Sequence, residues 1–388
     1  MAEDLLLGFV GDLMVDRDDP EEPFRAVAGL LHAPDIMFGN SEAAYTDDPH
    51  PAPSAATPIF PGPLNLDVFA KAGFDVMSLA NNHIVDAGHR AMLENISRLN
   101  DQGVATCGAG ATLEQARQPA VIERASTRVA YLGYASVFPI GYEARSNVPG
   151  LAPVRARDHW RPAVDNYHAP GTPPRCSTIP DEQDLVNTAA DIAHARSRAD
   201  LVVASFHWGD CLRPYHLTDH EMRTARWAIE QGADIVAGHH HHALRGIEWH
   251  NGRPIFYGLG HFVFDLELNL SAEAEQMFAV IRETVGDYAI FPRPGWPLLP
   301  MHPDTRMTIW AWVRADRNGI SDIGFIPCRL QPNGSVEALD PDSDAGREVV
   351  EYITTCNDSQ GLNGTLTTDR APVIAGWRSV RVIPRTKE

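Results

Sequence analysis

The chain has 388 residues, with 32 Lys and Arg against 51 Asp and Glu, for a formal charge of -19. So acidic a chain makes poor general contact with nucleic acid or anionic lipid, which excludes a protein that tracks a phosphate backbone. With 44% hydrophobic and 21% charged residues the composition is globular, and the length suffices for a large core.

The N-terminal MAEDLLLGFVGD has no basic stretch and no long apolar one, so it reads as a first buried strand over 5–10 and not as a signal peptide. A helix follows near 21–32, a strand at 35–40, a helical stretch at 64–72 and a third strand at 74–80. The pattern then predicts a helix over 87–100, a short strand at 104–107 and a strand at 128–134. Next come a helix over 181–198, a strand at 200–206, a helix over 218–231 and a strand at 233–238. Strands alternating with helices imply an α/β layered fold. The last third differs: GRPIFYGLG, HFVFD, RMTIWAWVR and DIGFIPCRL are strand-like without long helices between them. This predicts an additional C-terminal β-rich, largely antiparallel region, with a helix near 343–356 packed on it. The chain reads as one domain, a core over about 5–265 and a C-terminal extension over 266–388.

Three segments interrupt the pattern. Residues 48–63 carry Pro49, Pro51, Pro53, Pro58, Pro61 and Pro63; residues 136–180 are long and rich in Pro and Arg; residues 290–303 combine five prolines with Trp296. Ordered loops of this length serve as lids or specificity walls, or simply as surface. Five cysteines, Cys107, Cys176, Cys211, Cys328 and Cys356, stand far apart with no Cys-x-x-Cys pair. They read as reduced thiols in a cytoplasmic protein, not a disulfide frame or a thiolate zinc site. No stretch approaches the ~18 apolar residues that span a bilayer, so no membrane partner is expected.

The histidines number 17 and cluster where strands end. Strand one ends at Gly11-Asp12, strand two at Asn40-Ser41-Glu42, and strand three at Asn81-Asn82-His83 with Asp86 close behind. Later strands end at His207-Trp208-Gly209-Asp210 and at Gly238 followed by His239 to His242, and His261 comes soon after. In α/β sheets ligands gather at the carboxyl ends of strands. Singly, each residue is explained by a cap, a turn or a satisfied core histidine. Together, five strand ends presenting Asp, Glu, Asn and His point to a divalent metal site suited to Mn, Zn, Fe or Mg, and with more oxygen ligands to Ca.

At these residues the chain resembles a known family. GDLMVDR, NSE, SLANNHIVDAG, ASFHWGD, GADIVAGHHHHALRGIE and IFYGLGHFVFD are similar, in order, to the motifs of CapA-like proteins. These are named for poly-γ-glutamate capsule synthesis and belong to the calcineurin-like metallophosphoesterase superfamily. The resemblance covers about residues 5–265. It implies a sandwich of two mixed β-sheets flanked by helices, with metal ligands at Asp12, Glu42, Asn82, His207, His240 and His242. It also implies an acid/base histidine at His83, which Asp86 would orient.

Two departures from the family pattern bear on chemistry. The superfamily opens Asp-x-His, which completes a first metal site, and here Met14 replaces that His. The family reads Leu-Gly-Asn-Phe near its end, and here His261 replaces the Asn; it becomes a second acid/base candidate with Asp265 or Asp12 as carboxylate partner. His241 stands where the family's Gly-x-His-Pro-His carries proline.

Within the family the chain most resembles the lasso-peptide epimerases. That implies an isomerase inverting the Cα of a C-terminal residue, Trp, of a ribosomal precursor peptide. Inversion needs a base on one face and an acid on the other; His83 with Asp86 and His261 with Asp12 supply them. Trp296, His302 and Arg213 are the expected substrate-binding residues. The alternative is a metal-dependent phosphoesterase or a γ-glutamyl or other amide hydrolase of capsule-type metabolism, for which Arg145, Arg155, Arg157, Arg161 and Arg213 can form an anion patch. A third reading is a non-catalytic partner in an assembly.

Overall fold

The computed structural model describes residues 4–55, 58–164, 170–268 and 272–385. Residues 56–57 of the first Pro-rich loop and 165–169 of the second lie outside them. In chain order the principal strands are β1 (Leu5–Met14), β2 (Ile36–Ser41), β3 (Val76–Ser78), β4 (Ala105–Cys107), β5 (Ala120–Arg124), β6 (Thr127–Ala135), β7 (Leu201–His207) and β8 (Ile235–His239). They continue as β9 (Ile247–His250), β10 (Arg253–Phe256), β11 (His261–Phe264), β12 (Met307–Asp316), β13 (Gly319–Leu330), β14 (Val336–Ala338), β15 (Gly364–Thr367) and β16 (Val380–Pro384). Five longer helices accompany them: α1 (His89–Asp101), α2 (Glu182–Arg198), α3 (Asp219–Glu230), α4 (Ala272–Val285) and α5 (Asp344–Gln360).

Two mixed sheets result. The larger has the order β15-β16-β13-β12-β1-β2-β3-β4, with β11 also on β1 and β14 on β13; the smaller runs β9-β10-β8-β7-β6-β5. Side chains alternate along the buried strands, and this period of two creates three apolar layers. Leu5, Leu7 and Phe9 of β1 and Ile309, Ala311 and Val313 of β12 face inward. They meet Val129, Tyr131, Val203 and Ile235 of the smaller sheet. The alternate residues Ala130, Leu132, Val202, Ala204 and Val236 face outward and are covered by Ile192 and Ala195 of α2 and Ala225, Ala228 and Ile229 of α3. On the far side of the larger sheet, Leu13, Met37, Met77, Trp310 and Trp312 lie under Phe24, Leu30, Phe69, Met92 and Leu99. The result is the expected sandwich of two mixed sheets flanked by helices.

The C-terminal strands are antiparallel as expected, but they do not form a sheet of their own. β12 pairs with β1 from Leu5↔Ala315 to Phe9↔Ala311, so the last third widens the core sheet. β1 then changes neighbour on that side: from Asp12 onward it pairs in parallel with β11. The change occurs at Gly11, where a Cβ would lie 1.8 Å from the Gly260 carbonyl oxygen, so no larger residue fits.

Other differences from the sequence reading are local. The helix expected near 21–32 is a 3-10 turn, Glu22–Val27, followed by one α turn, Ala28–Leu31. Pro23 in its first turn donates no amide bond. Residues 136–180 contain a hairpin, Ala156–Arg161 paired with Arg175–Pro180. Helix α4 interrupts a region expected to lack long helices. Among the described residues no helix is long and apolar enough to cross a membrane.

Candidate metal centre

Asp12 near the end of β1, Glu42 just past β2, Asn82 and His83 just past β3, His207 at the end of β7 and the histidines at the end of β8 converge between the two sheets. Their convergence follows from parallel pairing. β1 pairs in parallel with β2, β2 with β3, and β7 with β8, so the carboxyl ends of these strands open at one edge.

Two overlapping sets of ligand atoms each lie within 4.8 Å of one another: Glu42, His240 and His242, and Asp12, Glu42 and His207. His207 Nε2 is 3.6 Å from Glu42 Oε1 and 2.5 Å from Asn82 Oδ1. His240 Nδ1 is 3.1 Å from His207 Nε2, and His242 Nε2 is 3.9 Å from Glu42 Oε1. Ligands ~2.1 Å from a single ion stand roughly 3–3.5 Å apart, so the 3.1 and 3.6 Å separations are near those of shared coordination, while the 2.5 and 3.9 Å ones need small side-chain shifts.

Glu42 gives the test of fit. It is fully buried, and neither carboxylate oxygen has a hydrogen-bond partner among the described residues. A buried carboxylate without donors is costly, and a cation removes that cost. Burial and the adjacent Asp12 carboxylate push Glu42 well above the ordinary range. Asp12 moves the other way: burial would raise it, but His239, His207 and His242 carry it well below. Burial, with neighbouring imidazoles, lowers His207 and His242 well below their usual value and His240 to about 4. These rings are therefore neutral and able to ligate at neutral pH. Glu42 is common to both sets, and Asn82, His207 and His240 join it through the His207 Nε2 contacts, so these four are candidate ligands for a divalent ion with Asp12 and His242 beside them.

Asp12 is held from several directions. Its Oδ1 accepts a hydrogen bond from Asn40 Nδ2 at 2.9 Å and lies 3.3 Å from His239 Nδ1. Its Oδ2 accepts the His240 amide at 3.2 Å and lies 3.6 Å from His242 Nδ1. His239, which occupies a variable family position, is thus buried against Asp12.

On the β3 side, His83 Nδ1 is 2.7 Å from Asp86 Oδ2. The same Oδ2 accepts the Ile59 amide at 3.0 Å, and Asp86 Oδ1 accepts the Tyr142 hydroxyl at 2.7 Å. Ile59 lies in the first Pro-rich loop and Tyr142 in the second long segment, so both loops are tied to the carboxylate behind His83. The sequence reading did not find either contact. On the β11 side, His261 Nε2 is 2.6 Å from His242 Nδ1, and its ring stacks on Phe264 with centroids 4.1 Å apart. Burial lowers His261 to about 4, opposed by Asp12 and by the Thr305 backbone.

Several expected partnerships are absent. Asp265 does not serve His261; it forms a paired hydrogen bond with Arg17, whose Nε is 2.8 Å from Oδ2. His302 stacks on Tyr288 at 3.9 Å, and its Nδ1 accepts the Asp304 amide at 3.2 Å, so it caps a turn. Trp296 lies under the Arg306 guanidinium, 3.8 Å from its ring centroid. The described contacts of Trp296 and His302 are with this outer cluster and not with the convergent ligands. Arg213 pairs with Asp210, Arg145 with Glu143 and Arg155 with Asp184, which neutralises much of the expected arginine patch.

One buried residue close to the centre went unnoticed in the sequence. Glu221 in the first turn of α3 has Oε1 2.6 Å from His241 Nε2. Burial would raise its pKa, but His241 and Thr218 bring it to about 2. Its only signal was Thr218-x-x-Glu221, a helix-start pattern that says nothing of a histidine partner.

The site thus belongs to a class of sheet sandwiches that gather oxygen and imidazole ligands at parallel strand ends. More specifically, the chain belongs to the bacterial capsule synthesis protein PGA_cap family, whose model matches residues 6–266. It is 28% identical over 277 residues to the PGA biosynthesis protein CapA of Bacillus subtilis, covering 68% of this chain and 64% of that one. It is 28% identical over 240 residues to a probable polyglutamine synthesis accessory protein of Mycobacterium tuberculosis, covering 61% and 57%. The chain thus spans less than two-thirds of the length of these relatives. The calcineurin-like phosphoesterase YfkN of Bacillus subtilis aligns over 92% of this chain and 97% of its own at 12% identity. Its TM-score is 0.34, too slight a likeness to carry a statement on activity.

Proposed function

We propose that the chain is a metal-dependent enzyme that inverts a Cα in a peptide by two-sided acid/base chemistry. The observation that carries this reading is the pairing of two histidine systems on opposite sides of one ligand cluster. In the sheet, β11 and β3 flank the β1–β2 pair. Three strand spacings of ~4.8 Å put these two strands roughly 14 Å apart, with Asp12 and Glu42 of the ligand cluster at the ends of the strands between them.

His83, with Asp86 fixing its tautomer, is the base or acid on the β3 side. A histidine whose Nδ1 proton faces a carboxylate presents Nε2 as the exchanging atom. On the β11 side, His242 is the partner. Met14 removes the ligand that would complete a first metal site, and the proton on this side is assigned to His242, whose Nδ1 is 3.6 Å from Asp12 Oδ2. His261 is fully buried, so it acts behind His242 and not on the substrate. Glu42, Asn82, His207 and His240 would hold a divalent ion, which when bound would supply charge stabilisation for a developing enolate. The C-terminal residue of a precursor peptide, Trp in particular, is the substrate position that the resemblance to lasso-peptide epimerases suggests.

The family match favours a second reading, hydrolysis of a γ-glutamyl amide or a phosphoester in capsule-type metabolism. The His83–Asp86 pair serves it equally well, as proton donor to a leaving group. Incubation with Mn²⁺ and Trp-ended peptides in D₂O separates the two. The first reading expects one deuterium gained at a single Cα; cleavage of p-nitrophenyl phosphate or a γ-glutamyl amide with no exchange replaces it with the second.

A further inference from the structure

His240 and His242 both have positive φ, +89° and +56°, in which L side chains are uncommon. Such backbone persists only where its surroundings over-determine it. The residue between them, His241, is fully buried and points away from the ligand cluster toward helix α3. There Glu221 Oε1 lies 2.6 Å from His241 Nε2, while Glu221 Oε2 accepts the Thr218 amide and hydroxyl, each at 2.6 Å. Glu221 is thereby bound at both oxygens, one to the start of α3 and one to the histidine loop. The loop after His207 crosses the same pair. A Cβ on Gly209 would lie 2.3 Å from His241 Nε2 and 2.6 Å from Glu221 Oε1, and its φ is +88°. One buried carboxylate–imidazole hydrogen bond therefore touches both loops that carry imidazole ligands.

We propose that Glu221 and His241 are positioning residues, a latch that holds His240 and His242 in their left-handed backbone and so sets the metal affinity of the centre. The proposal rests on the metal reading of Glu42, Asn82, His207 and His240. A proline at 241 would fix φ at ≈ −65° through its ring. Here a side-chain contact to a helix performs the same restraint, and it does so from a distance of twenty residues in sequence. Partners behind metal ligands commonly change affinity by about 10- to 100-fold when lost.

The test compares two double variants, each removing both members of the pair so that no lone charge is left buried. His241→Ala with Glu221→Gln removes the latch; His241→Pro with Glu221→Gln replaces it by a covalent restraint. Mn²⁺ affinity is read by titration calorimetry, and thermal melting checks the fold. The expected result is Mn²⁺ binding about tenfold or more weaker in the alanine pair and within about threefold of wild type in the proline pair. Wild-type affinity in the alanine pair overturns the latch and leaves the metal centre standing. Equal weakness in a folded proline pair also overturns it. If the alanine pair does not fold, the proline pair alone decides. A wild-type chain that binds no Mn²⁺ overturns the metal centre and the latch together.

Discussion

His83 and His261 stand on either side of the strand ends that carry Asp12 and Glu42, and they meet very different surroundings. The His83 side chain is 12% exposed, and the carboxylate behind it is tied to two long loops. His261 is sealed between His242 and Phe264. The open flank has a carboxylate to fix its tautomer and an outlet to substrate. On the closed flank the shortest contact of His242 Nδ1 is a second imidazole at 2.6 Å, with the Asp12 carboxylate farther off at 3.6 Å. The difference teaches that an added histidine at a site need not touch the substrate; it can act as the hydrogen-bond partner of the one that does.

The sharpest way to break this contrast is His83→Ala. Loss of a positioned acid/base group should lower turnover by about 10²–10⁴-fold. Metal content, measured by elemental analysis, should stay the same, because His83 is outside both sets of clustered ligand atoms. An emptied site would place His83 among the ligands. On the closed flank, His261→Ala should cost about tenfold, since it acts through His242, and His261→Asn should recover most of that loss because an amide oxygen can accept the His242 Nδ1 proton. A loss as large as that of His83→Ala would mean the two flanks are equal after all. Smaller again is Tyr142→Phe, which removes one of the three hydrogen bonds to Asp86. It should lower kcat about two- to tenfold while KM holds. An unchanged kcat would make Tyr142 part of the packing only.

The least effect belongs to the resting protein without metal. His240 and His261 titrate at about 4 when folded, below the 6.5 of an unperturbed histidine. Between pH 6.5 and 4 the unfolded chain therefore binds more protons, and stability falls as the pH falls through that window. Glu42, shifted upward, opposes this, but His207 and His242 add to it. Melting at pH 7 and 5 with chelator present should show a drop of several degrees; a flat response would mean these imidazoles are better solvated than the fold implies.

The strand ends were legible because parallel pairing brings the carboxyl ends of neighbouring strands to one edge, so a ligating residue after each strand needed no further information. The strand-end pattern alone puts Asp12, Glu42, Asn82 and His207 on that edge. What was not legible is what stands behind them. Tyr142 and Ile59 reach Asp86 from irregular loops that carry no periodic signal. Glu221 looks like an ordinary helix-start acid, and its partner lies on another element. Asp265 was close in sequence to His261, but the β11 end turns it toward Arg17. The hairpin within 136–180 was hidden by short strands with mostly exposed side chains.

The pairing of β1 with β12 has a consequence for how the molecule is made. The strand that carries Asp12 is synthesised well before the neighbour beside its first half, which is encoded some 300 residues later. At ~5–20 residues per second that neighbour leaves the ribosome roughly 15–60 s afterwards. Until then the nascent β1 offers an unpaired apolar edge, a template for unwanted pairing. A product ending near residue 266, where the family match ends, would keep every ligand residue and still leave that edge open at the border of its sheet.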